Sequence, residues 1–451
     1  MHEQQSLDAL LGEVTNGVGR VLTKALDEKD LSVEDSLALF QATGRDLAAT
    51  VKTADELRRR AVGERVTYVV NRNINFTNVC IKRCGFCAFS RDYRTEEGYL
   101  LPTEEIVRRA EEAWELGATE VCIQAGLPPQ MEGDLYIRLT RAIKEALPDI
   151  HIHGFSPEEV LYGSVRSQMS IREYLRELKQ AGVGSLPGTS AEILDQEVRD
   201  RISPGRIRVE QWVDVVTTAH ELGIPTTSTI MYGHVESNVH KARHLELLRD
   251  IQKASGGFTE FVPLSFVHTE APMVAHQSVT GVRHGATEEE VIRMHAVARV
   301  FLNNWIPNLQ VSWVKEGLER SRVLLSAGVN DMGGTLMNES ISTSAGAPFG
   351  QLVSPATFRA LIREAGRVPA ERTTSYRIRR VFGDDEASPE PPDGPDSLDG
   401  LDRLGSSAEE RLGSYHQLIK SRDYRYQHPR HPRHPRHKTR GPRALVGESD
   451  A

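Results

Sequence analysis

Thr67-Tyr-Val-Val-Asn-Arg-Asn-Ile74 reads as a buried strand, and six residues further on stands Cys80-Ile-Lys-Arg-Cys84-Gly-Phe-Cys87. An apolar, β-branched run that breaks into a polar loop is the opening half of a βα unit. The same pattern repeats from about Val66 to Val368. Strands are predicted at 67–74, 120–124, 151–154, 184–186, 226–231, 260–264, 309–313 and 328–330. Amphipathic helices are predicted between and after them at 104–116, 134–147, 171–180, 210–222, 239–255, 288–303, 315–326 and 355–365. Strands that each lead into a helix build a parallel α/β fold, and eight of them make a TIM-type (β/α)8 barrel the expected architecture. A doubly wound open sheet is the competitor, but no glycine-rich dinucleotide fingerprint follows any of the strands.

Outward from the barrel, expected at 63–382, the pattern changes at both ends. Residues 1–62 read as a helical N-terminal extension capping the barrel. Leu10, Leu11, Val14, Val18, Val21 and Leu22 recur at helical spacing, Ser32 is placed to open a second helix, and a third runs over 47–61. Beyond Phe382 a tail is expected at 383–451, mostly disordered. Its first part, Asp384 to Gly400, is rich in Asp, Glu, Pro and Ser and reads as a disordered linker. Residues 412–426 regain Tyr, Leu and Ile, as a segment that docks on the barrel would. The His-Pro-Arg repeat that follows puts His428, His431, His434 and His437 on one face of a polyproline II helix. A solvated, silent tail is the reading taken there, against metal binding.

The net charge of −8 over 451 residues carries no nucleic-acid footprint. The apolar runs are strand-sized, so no membrane span is expected. Met1 to Leu10 lacks the basic and apolar regions of a secretory signal. Of four cysteines, three fall within eight residues. Clustering of this kind indicates a metal or cluster site in a reducing cytoplasm rather than a disulfide framework.

Three thiolates in a C-x3-C-x2-C loop can hold three irons of a [4Fe-4S] cubane, which leaves the fourth iron without a protein ligand. An open coordination site on a redox cluster is what radical generation from S-adenosylmethionine needs. A structural zinc site would want a fourth Cys or His nearby, and an electron-transfer cluster a fourth cysteine. The remaining cysteine, Cys122, ends the second predicted strand and reads as a small buried residue, though it could supply a fourth thiolate. In a barrel the chemistry gathers where strands end. The polar residues at those ends are Asn73 and Asn75, Gln124, His153 and Thr189, then Tyr232, His234, His268, Lys315 and Asn330.

The cysteine spacing, with aromatic Phe86 directly before the last cysteine, resembles the radical S-adenosylmethionine superfamily. The strand-end segments Cys122-Ile-Gln-Ala-Gly-Leu-Pro-Pro129, Gly184-Ser-Leu-Pro-Gly-Thr-Ser-Ala-Glu-Ile193, Ser228-Thr-Ile-Met-Tyr-Gly-His234 and Gly328-Val-Asn-Asp-Met-Gly-Gly-Thr-Leu-Met-Asn-Glu-Ser-Ile-Ser342 narrow it. Over roughly residues 65–380 they resemble the CofH family, the second subunit of FO synthase. The resemblance implies Cys80, Cys84 and Cys87 as cluster ligands and Phe86 near the adenine of S-adenosylmethionine. It implies Gly126 at the methionine amino group, Glu192 at the ribose hydroxyls and Arg206 at a carboxylate. For Glu192 the plain alternative is charge complementarity at a helix N-terminus, and for Arg206 a surface salt bridge.

The implied reaction moves the 4-hydroxybenzyl group of L-tyrosine to 5-amino-6-(D-ribitylamino)uracil, started by a 5′-deoxyadenosyl radical. A separate CofG-type radical subunit would then close the deazaflavin ring, and a reducing electron donor is required. For the substrates, Asn330 and Glu339 lead the candidates, followed by His153, Tyr232 and His268, with Asn75, Ser228 and Asn338 behind them. Rivals inside the group are aminofutalosine synthase and the dehypoxanthine futalosine cyclase of the menaquinone pathway. A biotin-synthase-like sulfur insertion would need a second cluster, for which only Cys122 remains. A rival of another class is a non-catalytic iron–sulfur or zinc-binding protein.

Overall fold

The computed structural model describes residues 7–383 and 411–427. The expected linker over 384–400 and the His-Pro-Arg repeat lie outside the described residues. The described residues form ten strands: β1 (Arg65–Val69), β2 (Asn71–Ile74), β3 (Glu120–Ile123), β4 (His151–His153), β5 (Val183–Ser185), β6 (Thr226–Tyr232), β7 (Phe258–Ser265), β8 (Asp331–Gly334), β9 (Val368–Arg372) and β10 (Ile378–Val381). The first predicted strand is therefore two, broken at Val70.

Three sheets run β2-β3-β4-β5, β6-β7 and β10-β9-β1-β8. All pairs are parallel except β9 with β10. Single bridges join the sheets edge to edge. Leu186 with Thr226 links β5 to β6, while Phe261 with Leu309 and Gln310 with Asp331 carry β7 through 309–310 to β8. β8 pairs with β1, and Arg72 with Met337 continues that contact along β2. The pairings thus return to their start through eight strand positions, as a (β/α)8 barrel requires.

Two predicted strands are corrected. Residues 309–313 supply only the bridges at Leu309 and Gln310, because Trp313 already begins the helix Trp313–Leu324. The eighth strand is Asp331–Gly334, not 328–330. Gly328 takes φ 95° in the left-handed region, and Asn330 Oδ1 accepts from Leu309 N at 2.8 Å, so this stretch is the turn that leads into the strand. The helix Pro157–Ser167 had no counterpart among the predicted elements. Its signal is Ser156-Pro157-Glu158-Glu159, a capping box in which the Glu159 carboxylate accepts from Ser156 N at 2.8 Å.

Ahead of the barrel come helices Leu7–Leu11, Asn16–Leu26, Val33–Phe40 and Gly44–Val62. Ser32 caps the third, its hydroxyl accepting from Asp35 N at 3.2 Å. This group packs on the outer helices of the barrel: Arg249 donates to Leu31 O at 2.6 Å and Arg293 to Ala42 O at 2.9 Å. Residues 411–427 lie against the loop that carries the cysteines. Tyr415 packs on Phe89 with ring centroids 5.4 Å apart, and Tyr426 N donates to Gly98 O at 2.8 Å. No helix of the described residues is long and apolar enough to cross a membrane.

The interior buries several neutral histidines. His244 Nδ1 accepts from Leu194 N and its Nε2 donates to Thr229 O, both at 2.9 Å, which fixes the uncharged ring. Burial pushes His244 down to about 3, and His153 and His220 down to about 4. Unfolding returns each to about 6.5, so the unfolded chain binds more protons as pH falls below that value. Stability is expected to be unaffected by these groups above pH 6.5. It should fall on acidification toward pH 4, by up to about 1.4 kcal/mol per pH unit for each histidine. Urea titrations across that range check this, and His244→Gln should flatten the slope.

Candidate active site

Alternate residues along the strands turn inward and line a cavity of about 380 Å³. Asn71 and Asn73 come from β2, Glu120 and Cys122 from β3, Thr227, Thr229 and Met231 from β6, and Glu260, Val262 and Leu264 from β7. The cysteine loop closes one wall, so that Cys80, Cys84 and Cys87 face the same space.

That loop is held by backbone hydrogen bonds from several directions. Cys80 N donates to Arg91 O at 3.1 Å, Ile81 N to Leu127 O at 2.8 Å and Gly85 N to Ile202 O at 2.8 Å, while Met273 N donates to Gly85 O at 2.6 Å. Glycine is required at 126 because a Cβ there would collide with the Val79 carbonyl oxygen. Gly126 N donates to Thr77 O at 2.8 Å, and the residue also borders the cavity.

Among the described residues no group of three or more His, Cys, Asp or Glu side chains is placed to hold a metal ion. Burial pushes Cys84 up to about 12, and the groups acting on it are Arg206, Cys87, Cys80 and Glu192. Cys122 is also pushed up by burial, but it feels Glu120, Glu159 and Glu339 instead and accepts from the Gln124 amide at 3.3 Å. It belongs to the barrel interior rather than to the cysteine loop.

Beside the loop stands a charged cluster. The Arg206 guanidinium lies 5.8 Å from the Phe86 ring centroid and bonds Glu158 at 3.2 Å and Glu192 at 3.0 Å. Its side chain is only 14% exposed, which rules out the surface salt bridge. Burial opposes its charge, but Cys84, Glu192 and Glu158 outweigh that and hold it well above its ordinary value. Phe86, Gly126, Glu192 and Arg206 therefore share the cavity with the thiols.

Of the five residues expected to act on the substrates, two line the cavity. His153 Nδ1 is hydrogen-bonded to Ser185 Oγ at 2.7 Å, and the ring is neutral at ordinary pH. Glu339 accepts from Ser342 N at 2.9 Å and Thr343 N at 3.2 Å, and burial raises its carboxyl. The other three are elsewhere. Asn330 precedes β8 at the end away from the cavity, its side chain accepting from Arg299 at 2.7 Å and donating to Asn308 at 3.1 Å. Tyr232 follows the inward Met231, so strand alternation turns it outward, toward Glu316 and Arg320. His268 stacks on His284, with centroids 5.1 Å apart, outside the lining. Asn75, Ser228 and Asn338 are likewise outside the lining.

Several lining groups had no place among the expected substrate residues: Glu120, Glu159, Glu260, Gln310, Lys315 and Arg372. Lys315 was visible as a polar strand end. Glu120 and Glu260 were visible as carboxylates inside apolar strands, which need an inward polar space or a partner.

Comparison with known proteins places this geometry. The description "Radical SAM superfamily" matches residues 74–248, and "CofH/MqnC C-terminal region" matches 255–384. The chain is 47% identical over 358 residues to the 5-amino-6-(D-ribitylamino)uracil--L-tyrosine 4-hydroxyphenyl transferase of Methanothermobacter thermautotrophicus, covering 79% of this chain and 96% of that one.

The chain belongs to the CofH family of radical SAM enzymes.

This CofH-family chain is also 46% identical to the FO synthase of Mycobacterium leprae, over 77% of its own length but only 40% of that protein. Among solved structures it resembles the FeFe-hydrogenase maturase HydG, with TM-score 0.62 at 16% identity over 82% of this chain and 80% of that chain. Methylornithine synthase (PylB) aligns with TM-score 0.57 at 18% identity, over 77% and 95%. Those two likenesses concern the fold. The family's [4Fe-4S] cluster and S-adenosylmethionine fit a cavity that presents three cysteines beside an arginine–glutamate cluster.

Proposed function

We propose that this enzyme transfers the 4-hydroxybenzyl group of L-tyrosine to 5-amino-6-(D-ribitylamino)uracil, and that Cys80, Cys84 and Cys87 hold its cluster. The observation that carries this is the 47% identity across 96% of a transferase named for those two substrates. When bound, the cluster and S-adenosylmethionine supply a 5′-deoxyadenosyl radical, the oxidant for hydrogen abstraction.

The protein's share is placement and exclusion. Phe86 offers a ring to the adenine, and Glu192 and Arg206 offer an acceptor and a cation to the rest of S-adenosylmethionine, with Gly126 at its amino group. Asn71, Asn73, His153 and Gln310 present donors and acceptors to a polyol and a uracil. His153 does so as a neutral ring, so it can accept or donate without a change of charge. Glu339 faces the amino-acid end of tyrosine. Val69, Val262, Leu264, Phe266 and Leu336 line the walls between these groups and keep water and stray hydrogens from a radical. Asn330 serves the scaffold by fixing Leu309.

A separate CofG-type subunit completes the ring in this proposal, and the chain spans about two fifths of the FO synthase it matches. A low-potential electron donor in the cytoplasm reduces the cluster. The test is anaerobic release of 5′-deoxyadenosine by the reduced holoenzyme. Release is expected to rise with tyrosine and the ribityl uracil together. Release that responds only to the substrates of aminofutalosine synthase or the futalosine cyclase would move the chain to the menaquinone pathway. No release under any condition would leave a non-catalytic cluster or zinc-binding protein.

A further inference from the structure

Among the described residues, one cation lining the cavity has no side-chain partner. Lys315 follows the seventh strand position and lines the space, yet among the described residues its ammonium makes no ion pair and donates no hydrogen bond. The carboxylates whose charge reaches it are Glu339, Glu316 and Glu192. Each of these is already engaged. Glu192 pairs with Arg206 at 3.0 Å, Glu316 with Arg320 at 2.9 Å, and Glu339 accepts from the backbone of Ser342 and Thr343. Burial acts against the charge of Lys315, and its ammonium, half-buried at the cavity wall, is placed to meet a ligand anion.

We infer that Lys315 and Glu339 together form the site for the α-carboxylate and α-ammonium of an amino-acid substrate. Lys315 takes the carboxylate. Glu339, whose oxygens have lone pairs left after the backbone donors, takes the ammonium. The inference rests on the tyrosine reading above and deepens it. The competing source of the same chemistry is the methionine end of S-adenosylmethionine. The strand order favours the substrate, because Lys315 and Glu339 follow the seventh and eighth strand positions, whereas Gly126, Glu192 and Arg206 follow the second and fourth.

The test uses the reconstituted holoenzyme with tyrosine, tyramine (no carboxylate) and 3-(4-hydroxyphenyl)propanoate (no amine). The native enzyme is expected to bind both analogues at least about 10-fold more weakly than tyrosine. Lys315→Met should raise KM for tyrosine by about 10- to 100-fold and erase the preference for tyrosine over tyramine. KM for S-adenosylmethionine and the cluster absorbance should not change, and Lys315→Arg should restore part of the loss. Equal use of tyrosine and tyramine by the native enzyme would overturn the proposal without any variant. A rise in KM for S-adenosylmethionine in place of tyrosine would assign Lys315 to the cofactor and overturn it too. A native enzyme indifferent to tyrosine but active on menaquinone-pathway substrates would instead sink the parent reading, and this one with it.

Discussion

The Cys84→Ala enzyme is expected to release no 5′-deoxyadenosine above background, and to lose the visible absorbance of its cluster. On the proposed ligation only two of the three thiolates would be left, and the cubane would lose a corner. Cys122 lies on β3, outside the cysteine loop, and its thiol accepts from the Gln124 amide at 3.3 Å. The fold should survive, because the loop is tied by main-chain bonds from Gly85 to Ile202 and from Met273 to Gly85 that an alanine leaves intact. Iron content, absorbance and thermal unfolding of the variant measure the two expectations separately. Cys122→Ala should retain both cluster and activity. Retained turnover in Cys84→Ala, or loss of the cluster in Cys122→Ala, would mean that a different set of thiols carries the iron.

The second large effect is expected at the floor of the barrel. Arg372 on β9 makes a two-pronged pair with Asp331 of β8, at 2.5 and 2.8 Å, and reaches Glu260 of β7 at 3.4 Å. Its guanidinium also lies 4.0 Å from the Tyr376 ring centroid, and Tyr376 donates its hydroxyl to Glu260. Asp331 further accepts from the Thr67 hydroxyl, which ties β1 to the same group. Arg372→Met would keep much of the volume but leave two buried carboxylates without their cation. Breaking a buried pair from one side costs about 3–5 kcal/mol. Arg372→Lys should recover little, since an ammonium cannot reproduce the planar fork. Denaturant unfolding reads this directly. A loss under about 1 kcal/mol would show that the floor is solvated and the pair immaterial.

How far this was legible in the residues depends on how local each signal is. The cysteine loop after a β-branched run is local, and it located both the first strand and one wall of the cavity. The helical boundaries were close because caps such as Ser32 and the amphipathic spacing lie within a few residues. Asp331-Met-Gly-Gly334 contains no β-branched or aromatic residue, so propensity passed over it and chose the run just before. That shift of register is why Asn330 was expected at the mouth. Tyr232 was misplaced for a related reason. Being at a strand's end does not decide which face a side chain takes, and the inward set on β6 is Thr227, Thr229 and Met231. The floor was invisible because Arg372 meets partners 41 and 112 residues away, and no periodicity connects them. Lys315 was visible as a polar strand end, but that it has no side-chain partner among the described residues is a fact of three dimensions.

The central claim is a carbon–carbon transfer between two named substrates, and ring-labelled tyrosine tests it most directly. Reduced holoenzyme is incubated with labelled tyrosine, 5-amino-6-(D-ribitylamino)uracil and S-adenosylmethionine, and the products are resolved by mass. The expected products are 5′-deoxyadenosine and a ribityl uracil adduct that carries the whole labelled 4-hydroxybenzyl group. Cleavage of S-adenosylmethionine with no label in any uracil product would contradict the claim.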